Sequence, residues 1–217
     1  MAKSTNFWIL GIAIVGVGLY FTFRHRLSRF KRQVVFQANK EAEKWANYSE
    51  TDPATIDIMQ QYWCEGVNQC NFTDSQIVSD EFQDVWAWSA AFISWIMESA
   101  GAGEEFPYHQ THAHYTIKTT ENRHNDDGAK FKAYSSDETK PELSDVIISN
   151  RGTTNASYGN VQAGDKLHGD IVVAVRDNEI DVVGGNVGNK VKKTTIALDE
   201  DGFVANPDTF AIIKNTM

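Results

Sequence analysis

A chain of 217 residues that is 41% hydrophobic and 12% aromatic is long and apolar enough to fold around a core, which excludes disorder. Its net charge of −9 is uneven: residues 1–32 carry six Lys and Arg and no acid, leaving 14 basic against 29 acidic residues, or −15, in residues 33–217. A domain this acidic repels phosphate backbones, which argues against nucleic acid as a partner.

In chain order, Ser4 to Phe23 is a run of 20 residues without a charge. At about 1.5 Å per residue it reaches about 30 Å, the thickness of a bilayer core. Trp8 and Tyr20 lie near its ends, as interfacial aromatics do. The start is only Met-Ala-Lys and the run ends in Tyr-Phe-Thr-Phe, so an uncleaved single-pass anchor is expected over a signal peptide. Residues 1–32 then form an anchor with a basic flank, and 33–217 a single domain. The five Lys and Arg after the run place that domain in the cytoplasm by the positive-inside rule, with anionic lipid headgroups as neighbours. Cys64 and Cys70 pull the other way if they form a disulfide, which indicates an oxidising compartment. Two free or buried thiols are the alternative, since spacing does not supply disulfide geometry.

Gln33 to Asn47 has helical composition, with Val34, Val35, Ala38, Ala42 and Trp45 along one face, and reads as a continuation of the anchor helix. A second helix begins at Ser49 or Thr51 and runs through Ile56, Met59 and Trp63. Cys64 to Asp74 reads as a loop and Ser75 to Phe82 as a short helix. Trp86 to Ala100 is the most apolar stretch of the domain, a buried helix closed by Gly101 and Gly103. Strand patterns follow at Asp145–Ser149, Asp170–Val175, Ile180–Val183, Val191–Leu198 and Phe210–Lys214, with Asp177-Asn178 as a turn. Helices followed by a run of strands predict an α+β fold with a mostly antiparallel sheet.

Three residues could carry chemistry: Ser89 at the start of the apolar helix, His168 just before a strand, and Asn186 just after one. A helix N-terminus favours a developing anion. A histidine can take a nucleophile's proton near neutral pH, and a third polar group can orient the imidazole. Asp170 lies two residues after His168; strand alternation puts both on one face, where Asp170 can orient the histidine or raise its pKa. Each has a plainer reading. Ser89 can cap the helix, His168 can be a satisfied strand-edge residue, and Asn186 can supply a left-handed turn. His109, His112 and His114 lie close together, but no Asp, Glu or Cys spacing completes a metal site.

The segments Trp88-Ser-Ala-Ala-Phe-Ile-Ser-Trp95, His112-Ala-His-Tyr115, Phe131-Lys-Ala-Tyr134, Ser144-Asp145 followed by Arg151, His168-Gly-Asp-Ile-Val-Val173, Gly184-Gly-Asn-Val187 and Phe210-Ala-Ile-Ile213 occur in this order. Together they resemble the bacterial family DUF2272, from about Trp45 to Lys214. DUF2272 in turn resembles the NlpC/P60 and CHAP cysteine peptidases, in which a Trp-Cys-Ala-Ala-Phe pattern opens the catalytic helix. The resemblance implies helices packed on a small antiparallel sheet, with Ser89 at the cysteine position, His168 as catalytic histidine and Asn186 as the orienting group. Ser144-Asp145 takes the position of the family's Gly-Asp strand start. Trp88, His112, Tyr115 and Asp145 are expected around the substrate. No metal or cofactor is implied.

The implied activity is hydrolysis of an amide bond in peptidoglycan or a peptide-like substrate, by an amidase or endopeptidase anchored in the cell envelope. Serine in place of cysteine departs from the pattern, because serine needs full general-base help. Two other readings stand beside it: a catalytically inactive envelope or phage-encoded binding protein that keeps the cleft, and a cytoplasm-facing enzyme acting on a non-wall acyl or isopeptide bond.

Overall fold

The computed structural model describes residues 27–126 and 128–217. Helix α1 spans Arg29–Lys44 and is capped by Ser28, whose hydroxyl accepts from the Lys31 N–H. After a 3-10 turn at Pro53–Thr55 come α2 (Ile56–Val67), α3 (Asp74–Ile77), α4 (Asp80–Val85), α5 (Ser89–Ala100) and α6 (His112–Asn125). The strands are β1 (Phe131–Ser135), β2 (Val146–Asn150), β3 (Leu167–Val175), β4 (Glu179–Gly184), β5 (Lys192–Ala197) and β6 (Thr209–Asn215).

The fold is α+β, with six strands in one sheet of order β1-β6-β2-β3-β4-β5, every neighbouring pair antiparallel. The membrane part of the expected fold class and of the expected localisation is corrected. Among the described residues no helix is long and apolar enough to cross a membrane. The stretch 4–23 to which the anchor was assigned lies outside the described residues.

Helix α5 is buried on every side from Ser89 to Met97 and forms the centre of the core. Its cover explains the aromatic content of the chain. Trp45, Tyr62 and Trp88 stack at centroid distances of 5.0–6.4 Å. The polar edges of this stack are satisfied, since the Trp45 indole donates to the Tyr62 hydroxyl, which donates to the buried Glu41 carboxylate. Trp63, Phe72, Phe82 and Trp86 make a second aromatic group where α2 meets α4.

Cys64 and Cys70 form a disulfide with Cα atoms 4.3 Å apart, which closes the turn after α2 at Asn68. The region Ser75–Phe82 is two short helices rather than one. Thr73 caps the first in a capping box with Gln76, and Ser79 caps the second. Helix α6 has no apolar stripe in the sequence and is rich in β-branched residues, a composition that disfavours helix. Thr116, Thr119 and Thr120 each donate to the carbonyl four residues back, so their hydroxyls stay within the helix.

The sheet has two unlike faces. Val146, Ile148, Ile171, Val183, Ala211 and Ile213 join the main core under the helices. Ile147, Val172, Ile180, Val182 and Ile212 form a smaller cluster on the other face, against Ile196, Leu198 and Val204. Antiparallel register keeps cross-strand partners on one face up to the bulges at Ile148/Ser149 and Val172/Ala174.

Candidate active site

Ser89 is the first residue of α5, and its hydroxyl does not cap that helix. The Oγ atom lies 2.7 Å from His112 Nε2 instead. The other ring nitrogen of His112, Nδ1, is hydrogen-bonded to the Tyr115 hydroxyl one turn along α6. The three side chains therefore form a chain, Ser89–His112–Tyr115, at the junction of two helices. Burial, then the neighbouring His168 and Arg151 charges, hold the His112 pKa well below the ordinary histidine value of 6.5. Burial, with the Asp170 charge behind it, pushes the Tyr115 hydroxyl well above its ordinary range. The chain is thus neutral at neutral pH. Tyr115 stays protonated and His112 carries one ring proton. In the tautomer with Nδ1–H donating to the Tyr115 oxygen, Nε2 is free to accept the Ser89 proton; in the other, the Tyr115 hydroxyl donates to Nδ1 and Nε2–H donates to Ser89.

The structure brings Ser89 to His112 and not to His168. Along β3, Leu167, Ile171 and Val173 belong to the main core and Val172 to the opposite cluster. Alternation therefore puts Gly169 on the helix side and His168 and Asp170 on the far face. His168 Nε2 meets Asp170 Oδ1 at 3.1 Å there. Gly184 pairs with Asp170 across the ladder, and a Cβ on it would collide with the Asp170 carboxylate and come within 2.9 Å of His168 Nε2. The His168 and His112 rings are 5.8 Å apart at their centroids, edge to face. On the helix side, a Cβ on Gly169 would lie 2.6 Å from His112 Nδ1 and 2.9 Å from the Tyr115 hydroxyl. The bare backbone at Gly169 is what lets the α6 histidine occupy this position.

Ser89 and His112 open onto a cleft of about 870 Å³ whose wall includes Asn186, Arg151, Glu50 and Gln83. Neither His168 nor Asp170 lines it. Asn186 is 7% exposed, has a left-handed backbone (φ 56°), and accepts at its carbonyl from Arg151 Nη2 at 3.3 Å. Asp145, expected beside the substrate, is fully buried away from the cleft. Its carboxylate takes the Lys214 ammonium and the backbone N–H groups of Glu142 and Asn215, tying β6 to the turn before β2. Trp88 is likewise buried, its indole donating to Glu50 at 2.7 Å. His109 and His114 stack 4.0 Å apart. No group of three His, Cys, Asp or Glu side chains arranged to hold a metal occurs among the described residues.

Sequence reasoning missed Glu50, Gln83 and the pairing of Ser89 with His112. The available signal was the i, i+3 spacing of His112 and Tyr115, which sets the two on one helix face once α6 is known to be a helix.

No curated protein and no solved structure matches the chain. A family model described as "uncharacterized protein conserved in bacteria" matches residues 39–215, which takes in every helix of the core from the second half of α1, the whole sheet, and the Ser89 cleft. The chain belongs to the DUF2272 family.

Proposed function

We propose that this protein is a serine hydrolase of amide bonds, with Ser89 as nucleophile, His112 as general base and Tyr115 as the group that orients His112. The observation that carries the reading is the 2.7 Å contact between Ser89 Oγ and His112 Nε2 at the N-terminus of α5, on the wall of a cleft. Serine is a weak nucleophile unless a base removes its proton, and a neutral imidazole at hydrogen-bond distance supplies that. As Ser89 Oγ attacks the substrate carbonyl, its proton passes to His112 Nε2. The tetrahedral oxyanion forms beside the first turn of α5, whose N–H groups lack partners within the helix. His112 then gives the proton to the departing amine. Its low pKa favours this second step, because a buried imidazolium sheds its proton readily. Water repeats the sequence on the acyl-enzyme.

Peptidoglycan is the substrate we assign. The segment order resembles the NlpC/P60 and CHAP peptidases, and the cleft is large enough to hold several residues of a peptide. The test is to incubate the full chain with purified peptidoglycan beside Ser89→Ala, Ser89→Cys and His112→Ala versions, reading soluble fragments by mass spectrometry. Release by the parent and loss in the alanine versions is the expected result. Release only by the cysteine version would replace this reading with that of a binding protein whose nucleophile has been retired.

A further inference from the structure

One wall of the cleft next to Ser89 is acidic. Glu50, Asp80, Gln83 and Asp84 line it together, from the loop before α2 and from α4, whose end leads directly into α5. Glu50 is only 6% exposed. One carboxylate oxygen takes the Trp88 indole, and its side chain has no ion-pair partner within 4.0 Å among the described residues. Gln83 is 8% exposed, and its orientation is set because Nε2 donates to the Ile77 carbonyl. Its Oε1 atom is left buried with no donor. An orphaned buried acceptor is costly in a folded protein and is a point where a ligand donor is wanted. Burial raises the Glu50 carboxyl, the Trp88 hydrogen bond and the Arg151 charge oppose it, and the exposed carboxylates of Asp80 and Asp84 add to the rise; neither aspartate has an ion-pair partner among the described residues.

We propose that this wall is a subsite for a primary ammonium group of the substrate, set beside the Ser89–His112 pair. An ammonium supplies three donors and one positive charge from a compact centre, which matches a buried carboxylate, an unpartnered amide oxygen and two rim carboxylates. Arg151 stands on the same cleft with its guanidinium donating to the Asn186 carbonyl and its charge acting on Glu50, and Lys166 lines the cleft too, so the cleft presents cations as well as the acidic wall. A peptide with a free amine and a free carboxylate fits both poles. This inference rests on the amide-hydrolase reading for the position of the scissile bond, but amine recognition is measurable without cleavage.

The experiment uses the full chain carrying Ser89→Ala, co-sedimented with two preparations of one peptidoglycan: untreated, and treated with acetic anhydride so that free amines are capped and carboxylates kept. Binding is expected to weaken about tenfold on capping, an ordinary loss for a charge-assisted contact. Asp80→Asn with Asp84→Asn, both at exposed positions, is expected to bind the two preparations alike at the weaker level. Glu104→Gln with Glu105→Gln, equally acidic but outside the cleft, is expected to keep the preference, which separates the subsite from general charge attraction. Equal binding of the two preparations by the Ser89→Ala protein overturns the proposal, and so does binding to neither. Fragment release by the parent is scored separately. Amine-dependent binding without release leaves the subsite standing and removes the hydrolase reading; equal release from both preparations does the reverse.

Discussion

Gly169 and His112 are in contact only because Gly169 has no side chain: a Cβ there would sit 2.6 Å from the His112 ring. A strand residue and a helix residue thus share one position behind Ser89, and the helix supplies the imidazole. The consequence is that β3 contributes space to the candidate site while its own histidine pairs with Asp170 and does not line the cleft.

Substituting Gly169→Ala should therefore push His112 off Ser89 with both residues left unchanged in sequence. Overpacking a close-packed site costs about 1–3 kcal/mol, and a displacement of about 1 Å at a base lowers turnover roughly 100-fold. Urea unfolding and the hydrolysis rate of the variant measure the two effects. A variant of unchanged rate would show that the Ser89–His112 contact has no part in the chemistry.

The two histidines give a direct contrast. His112→Ala should lower kcat by about 10²–10⁴-fold, the usual worth of a positioned general base. His168→Ala should lower it less than about tenfold, since His168 does not line the cleft and its Nε2 is engaged with Asp170. The opposite ranking, measured on the same substrate, would return the base to β3.

The pH dependence follows from the neutral, buried state of His112. The base is active when unprotonated and its pKa lies well below 6.5, so activity should be level around pH 6.5 and fall only at lower pH. Stability should move in the same direction. In the unfolded chain this histidine takes up a proton as pH drops through 6.5, while in the folded chain it resists protonation until its lower folded value. The contribution it makes above 6.5 is therefore lost progressively below it. A kcat/KM profile and urea midpoints between pH 4 and 8 test both, and an activity midpoint at or above 6.5 rules out His112 as base.

Replacing Cys64 and Cys70 together by serine should cost about 2 kcal/mol, the chain-entropy value for so short a loop. The bond closes the turn at the C-terminal end of α2 and neither cysteine lines the cleft, so catalysis should persist at temperatures below the lowered Tm. Thermal unfolding with and without reductant reads the difference.

Much of the fold was legible in the sequence because its signals are local. The apolar run that became α5 needs burial on all sides wherever it packs, and the alternating runs that became β2 to β6 needed only a partner sheet. Helix α6 was not legible, because its stability comes from packing on the sheet, where its buried threonine hydroxyls are satisfied on its own carbonyls. Strand β1 is five residues beside it and was missed for the same lack of a local pattern.

The candidate site divides along the same line. The sequence by itself determined that Ser89 opens a buried helix and that His168 and Asp170 share a strand face, since both follow from position and period. Which face that is, and so which histidine Ser89 meets, was decided by the register of β3 against β2 and β4 and by the space left at Gly169. Sequence period fixes which side chains point together. Only the packed sheet decides what lies across from them.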